Sequence, residues 1–310
     1  MTRHHHICIA LGRFFANLVS AIIPIRSLRH RVRSVLDPLN PERVTRYLQR
    51  RYASADGYEA FLAMRRPAGH RPGNTIWQCW LQGEEQAPPI VKNCLSSVRR
   101  HKRPWQEVVL VTASNYHLYA EVPPHIVDKW KQGVISHTHF SDLLRVCLLS
   151  QHGGVWIDAT CLLTAPIPDN LLQGDVFLYR SQGEFAFTQI QSCFICCKPD
   201  SYLMWRWRKA MFDYWQSEDR LLHYFVLHLM LVALSRSDSR IACALDDAPQ
   251  QTDEAMHTLF YAAQRGEVFT PQLWQRATSA SFIHKFTYKF PDSEMGREGS
   301  VPYVLSHQQM

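Results

Sequence analysis

An α/β fold with a mostly parallel central sheet is the class this sequence predicts, and three observations predict it. Short apolar runs at 75–81, 107–112 and 155–157 alternate with longer runs at helical spacing. Strand–helix–strand order of that kind implies parallel neighbours. Residues 137–168, HTHFSDLLRVCLLSQHGGVWIDATCLLTAPIP, join a helical pattern to a buried strand through two glycines. Finally, Asp158 stands where that strand ends, and in open α/β sheets ligands bind beyond the carboxyl ends of strands.

At the N-terminus, residues 7–25 (ICIALGRFFANLVSAIIPI) are apolar but interrupted by Arg13, Asn17 and Pro24. A spanning helix wants about 20 mostly apolar residues. The basic run SLRHRVRS that follows suits an interfacial segment on an anionic membrane surface. A signal anchor, an Arg-rich organelle transit peptide and a helix docked on the main domain are the alternatives. Charge supports a division here. Residues 1–72 hold thirteen Arg, no Lys and four acidic residues, a balance of +9, while the remainder holds 21 basic and 27 − 4 = 23 acidic residues, a balance of −2. A body of that charge speaks against nucleic acid as a partner. The expected organisation is a basic, membrane-associated helical segment over 1–72 and one main domain over 73–310, with the Pro/Gly-rich run 65–74 as boundary. Nine cysteines without regular short spacing read as reduced thiols in a cytoplasmic protein, and the N-terminal segment would make it peripheral on the inner face of the plasma membrane.

Within 37–64 the pattern is polar-helical, with Pro38 and Pro41 near the helix start. The first strand is 75–81, and Gln82-Gly83 turns the chain. Pro88-Pro89 opens a helix to about 101, with Ile90, Val91, Cys94, Leu95 and Val98 at helical spacing. The second strand is 107–112, and a short helix spans 122–131. On the helix from 137, Leu143, Leu144, Cys147 and Leu148 share one face, while Ser141, Asp142, Arg145 and His152 share another arc. Gly153-Gly154 stops that helix. Further strands are expected at 175–179 and 185–197. In the second, Cys193 and Cys196 point to opposite faces, which argues against a zinc site. Two helices are expected at 201–215 and 219–234, with Trp205, Trp207 and Trp215 read as core over the alternative of an acceptor-groove lining, and His223 and His228 as satisfied core histidines. A loop at 235–250 and a helix at 252–264 follow. The segment SASFIHKFTYKF, 279–290, sets Ser281, His284, Lys285 and Lys289 among aromatic residues.

Asp142 and Arg145 on the helix, with Asp158 and Thr160 after the strand, are placed to converge on one ligand. The bland reading is an ordinary i,i+3 ion pair worth a few tenths of a kcal/mol, about 0.2–0.5, beside a carboxylate that caps a strand.

The set TIWQCWLQGEEQAPPIVKNCLSSV, SDLLR, GGVWIDAT and SFIHKFTYK, in that order, resembles the bacterial capsular polysaccharide synthesis proteins. These are related to the DXD-containing, family-32-like sugar transferases. The resemblance covers about residues 20–290 and implies a GT-A-like nucleotide-sugar-binding fold. It also implies a UDP-sugar donor, a surface polysaccharide or lipid-linked glycan as acceptor, and retention of anomeric configuration. It implies that Ser141, Asp142 and Arg145 contact the nucleotide sugar, and that Trp77 and Gln78 lie where base and ribose are held. Gly153, Gly154 and Asp158 match the Gly-Gly-x-x-x-Asp-x-Asp motif, and Lys285 adds a cation for the phosphates. Asp158, Asp142 and Arg145 are the implied catalytic set. Asp158, Thr160 and His284 are the implied ligands of Mn²⁺ or Mg²⁺. Here the sequence departs from the pattern: Thr160 replaces the second carboxylate, and a neutral hydroxyl offers a hard cation less charge. That departure keeps open a non-catalytic transferase-like binder, and a sugar-phosphate transferase using similar carboxylates is the other alternative.

Overall fold

The computed structural model describes residues 39–54, 57–64 and 74–307. The apolar run at 7–25, the arginines after it, and nearly all of the expected boundary at 65–74 lie outside the described residues. No helix among the described residues is long and apolar enough to cross a membrane.

In chain order the strands are β1 (Thr75–Cys79), β2 (Glu107–Val111), β3 (Gly154–Ile157), β4 (Cys161–Leu163), β5 (Val176–Arg180), β6 (Ile190–Cys197) and β7 (Ile283–Lys285). Five form the central sheet in the order β2-β1-β3-β6-β5, and β4 pairs with β7 in a separate ladder. β1 runs parallel to both β2 and β3. β6 is antiparallel to β3 and to β5. Four strands therefore point one way and β6 alone is reversed, so the expected α/β class with a mostly parallel sheet is what the chain adopts. The reversal has a local consequence: it brings the start of β6 to the carboxyl edge of β3, where the Asp158 amide donates to the Cys193 carbonyl at 2.8 Å.

The helices are α1 (Pro41–Tyr52), α2 (Tyr58–Met64), α3 (Pro89–His101), α4 (Pro124–Lys131), α5 (His137–His152), α6 (Asp169–Leu172) and α7 (Tyr202–Ser217), followed by α8 (Val226–Ser237), α9 (Ser239–Asp247), α10 (Thr258–Gln264), α11 (Pro271–Ala280), α12 (Asp292–Met295) and α13 (Val301–His307). One face of the sheet is covered by α5, α7 and α8, and the other by α3 and the β4–β7 ladder. This is the three-layer solution for strands buried on both faces. Val44, Leu48 and Tyr52 of α1 belong to the main core beside α7 and α8. Tyr47 and Tyr52 both donate to the buried Glu218 carboxylate, which fastens α1 to the end of α7.

α5 starts where Ser136 accepts from the His139 amide, an N-cap that satisfies one orphan donor of the first turn. Its apolar face is buried as the spacing predicts, but Arg145, Val146 and Leu149 are buried too. The helix is enclosed nearly all round. Gly153 ends it at φ 66°, ψ −155°, a conformation outside the left-handed cap and open only to glycine.

Several elements differ from expectation. Residues 219–225 are irregular, not the first turns of a helix. Leu222 donates its amide to the Tyr214 hydroxyl and Phe225 donates to His223 Nδ1, so side chains satisfy a backbone whose Leu/Phe spacing mimics helical periodicity. The expected loop at 235–250 holds the end of α8 and all of α9. Asp238 caps α9 by accepting from Arg240, and Ile241 and Leu245 bury one face at i,i+4. The strand expected from 185 begins at Ile190, after a 3₁₀ turn over Gly183–Thr188. Residues 252–257 are not α-helical: Thr252 bridges to Arg180 and a 3₁₀ turn precedes α10.

Candidate active site

β3 ends at Ile157, and the chain turns at once into β4, with the Cys161 amide donating to the Asp158 carbonyl. This turn projects Asp158 and Thr160 beyond the sheet edge. The cavity there is about 450 Å³, within the range of small-molecule sites. Its walls come from the tip of β1 (Cys79 to Gln82), the start of α5, the β3–β4 turn, the start of β6, the irregular segment at 221–225, and Lys285 to Lys289 after β7.

At its floor four charges lock together. Arg145 donates through Nη1 to Asp142 Oδ1 and through Nη2 to Asp158 Oδ1, both at 2.8 Å. Trp156 Nε1 donates to the same Asp158 oxygen at 2.8 Å, and the Arg145 guanidinium lies 4.9 Å from the Trp156 ring centre. Lys285 Nζ donates to Asp158 Oδ2 at 3.0 Å and to Thr160 Oγ1 at 2.5 Å. β7 aims this lysine, since Lys285 is in register with Cys161. Burial by itself opposes ionisation of Asp158, but Lys285 and Arg145 outweigh it and hold the carboxyl well below the usual range. Burial likewise opposes the charge on Lys285, and Asp158 overcomes it and pushes the ammonium up. Asp142 follows the same pattern, with Arg145 and then His139 overcoming burial to lower it. Both carboxylates are thus charged at neutral pH and both are paired.

A second line of residues holds this set in place. Trp215 Nε1 donates to His139 Nε2 at 2.9 Å, so His139 carries its proton on Nδ1. That nitrogen faces Asp142 Oδ2 at 3.4 Å. Sequence reasoning placed Trp215 in the core, which is correct, but gave no hint that it orients a histidine behind the site. His228, read as a satisfied core histidine, lines the cavity with a buried Nδ1 that has no partner among the described residues. Burial lowers it to about 4, so it faces the cavity neutral.

Ser141, Asp142, Arg145, Asp158, Thr160 and Lys285 all line the one cavity. Five other expectations require correction. Trp77 is turned away: its Nε1 donates to the Gly153 carbonyl at 3.0 Å and its ring packs on Tyr119 and His152. Gln78 is fully buried outside the cavity lining. β1 reaches the cavity only beyond Gln78, where its tip clears the sheet. Gly154 packs backbone to backbone, and a Cβ there would stand 2.4 Å from the Thr75 carbonyl oxygen. His152, on the same predicted arc as Asp142, pairs with the Tyr119 carbonyl at 2.8 Å, nearly three turns away along α5.

The fifth correction is His284. It is wholly buried, 3.3 Å from the Thr164 hydroxyl and packed against Trp274. As the strand neighbour of Lys285 it faces the opposite side of β7, so it does not share a ligand sphere with Asp158. The three residues implied for Mn²⁺ or Mg²⁺ therefore do not gather around one point. Asp158 already holds two cations, Thr160 accepts from one of them, and His284 lies elsewhere. Among the described residues no group of three or more His, Cys, Asp or Glu side chains is placed to hold a metal. The described cysteines are free thiols, Cys193 and Cys196 among them.

Fold and site together define an α/β protein with a charged ligand cavity at the carboxyl edge of its sheet. The chain belongs to the capsular polysaccharide synthesis protein family, whose model matches residues 33–301. It is 26% identical over 144 residues to the O-glycosyltransferase PaGT of Phomopsis amygdali, a match covering 44% of this chain and 32% of that protein. The chain thus spans about a third of the length of this curated relative. Two solved structures are similar at 10% identity. The PaToxG glycosyltransferase has a TM-score of 0.40, covering 80% of this chain and 100% of that one. The apo-form glycosyltransferase GlyE in Streptococcus pneumoniae TIGR4 has a TM-score of 0.43, covering 76% and 61%.

Proposed function

We propose that the protein is a glycosyltransferase with a GT-A-like fold. It would move a sugar from a nucleotide-sugar donor, taken to be UDP-linked, to a surface polysaccharide or lipid-linked glycan. One observation carries this reading: Asp142, Arg145, Asp158 and Lys285, drawn from a helix, a strand end and a distant strand, converge in one cavity of about 450 Å³. Membership of the capsular polysaccharide synthesis family supports the glycan as acceptor.

In such a transfer the bond between the anomeric carbon and the diphosphate oxygen breaks, and its electron pair stays on the phosphate. The acceptor oxygen bonds to the anomeric carbon, and its proton ends on the nucleoside diphosphate. Positive charge develops on the sugar and negative charge on the leaving group, so the site needs fixed cations at one end and hydrogen-bond acceptors at the other. Lys285 and Lys289 face the cavity on one wall and serve the phosphates. Asp142, held by Arg145 and His139, is placed to accept from sugar hydroxyls and orient the donor. His228 offers a neutral ring nitrogen on the same wall as Tyr224 and Phe225.

The experiment is release of nucleotide by the purified full chain from UDP-glucose, UDP-galactose, UDP-N-acetylglucosamine and GDP-mannose. Nucleoside diphosphate is the expected product. Nucleoside monophosphate would assign a sugar-phosphate transferase, and binding without turnover a non-catalytic relative. Retention is checked by the anomeric proton coupling of the product in NMR.

A further inference from the structure

We propose that the Lys285 ammonium occupies the position a divalent ion would otherwise take, so that transfer runs on the protein's own cations. The proposal rests on the transferase reading and deepens it. Lys285 Nζ bonds to both side chains that stand at the two acidic positions of an Asp-x-Asp motif, Asp158 Oδ2 at 3.0 Å and Thr160 Oγ1 at 2.5 Å. With threonine at the second position the pair carries one negative charge in place of two. One negative charge matches an ammonium and leaves a divalent ion half-neutralised. The other Asp158 oxygen is shared between Arg145 and Trp156. A metal entering here would have to displace a lysine or an arginine from a site where each is fixed by its own element.

The ammonium is also suited to the task. It has three N–H donors. Among the described residues two have acceptors, Asp158 and Thr160. The side chain is 24% exposed and lines the cavity, so the third donor is left for a phosphate oxygen. Lysine is a compact point charge that binds phosphate without demanding fixed coordination geometry. When the anomeric carbon–oxygen bond breaks, the electron pair left on the diphosphate meets a positive charge already in place. Lys285 remains protonated throughout and gives up no proton.

The test is calorimetric titration of UDP and GDP into the full chain, once in excess EDTA and once in excess Mn²⁺, with nucleotide-sugar turnover measured in parallel. Mn²⁺ binding to the unmodified protein is followed separately by electron paramagnetic resonance. Wild-type affinity and turnover should agree within about twofold between the two conditions, and free Mn²⁺ should show no tight association. Lys285→Met should weaken nucleotide binding tenfold or more in both conditions, and Lys285→Arg should recover most of it. Binding or turnover that collapses in EDTA and returns with Mn²⁺ would overturn the proposal while leaving the transferase intact. A Lys285→Met protein that binds nucleotide as wild type would do the same. Absence of any nucleotide binding in either condition would instead remove the transferase reading beneath it. The wild-type comparison needs no variant, so a misfolded Lys285→Met protein does not spare the proposal.

Discussion

Asp158 divides its two oxygens among Arg145, Trp156 and Lys285, and that arrangement makes it sensitive to a change of one atom. Asp158→Asn keeps the shape but leaves two buried cations facing a neutral amide. Turnover should fall about 10²-fold or more, the usual scale for removing one electrostatic stabiliser from a transition state. Steady-state release of nucleotide measures it, and wild-type turnover would remove the residue from the chemistry. The pair also has a pH signature. A depressed carboxyl contributes stability above the unfolded value of about 3.9 and loses it as pH falls below, so Asp158 is silent through the mildly acidic range. His284 acts earlier. Burial lowers it to about 4, against about 6.5 in the unfolded chain. Between those values the unfolded chain takes up a proton that the folded one refuses, so stability is full above about 6.5 and falls towards pH 4. The loss is on the order of 3 kcal/mol, with His228 adding in the same window. Urea midpoints at pH 7.5, 5.5 and 4.5 should show this decline, and His284→Gln should flatten it.

At the level of elements, the turn between α5 and β3 sets where Asp158 is delivered. Gly154 has φ +100° and its absent Cβ would lie 2.4 Å from the Thr75 carbonyl oxygen. Strand β1 cannot retreat, because it is paired on both edges. Gly154→Ala should therefore cost about 3 kcal/mol or more, combining backbone strain with a clash. Gly83, at φ +83° with nothing within 4 Å, provides the comparison: Gly83→Ala should cost only about 1 kcal/mol. Differential scanning calorimetry separates the two. The α5–β3 unit was legible because sixteen residues at helical spacing, two glycines and a short apolar run leave little choice. β4 and β7 were not, since three-residue strands have no periodicity to read and their partners lie some 120 positions apart in Cys161 and Lys285. That is why Lys285 was visible as a cation but not as the partner of Thr160. The placement of Trp77 and Gln78 is hidden from the sequence for a related reason: position along a strand says which residues alternate, not how far the strand must run before it clears the sheet.

Over the whole molecule, the charge is divided between a balanced body and an arginine-rich beginning, +9 over residues 1–72 against −2 over the rest. Counterion-screened attraction to anionic lipid scales with that local excess. The full chain should sediment with vesicles containing phosphatidylglycerol and not with pure phosphatidylcholine, and about 0.5 M salt should release most of it. Equal binding to both vesicle types would refute an electrostatic attachment.

The ladder between Cys161 and Lys285 also bears on how the protein comes into being. A nascent chain that has left the ribosome as far as β6 already owns Asp142, Arg145 and Asp158, yet lacks the amine that completes their charge balance. Synthesis must proceed almost to the last helix before that amine can dock. A chain cut between Asp158 and Lys285 would leave two carboxylates sharing a single guanidinium.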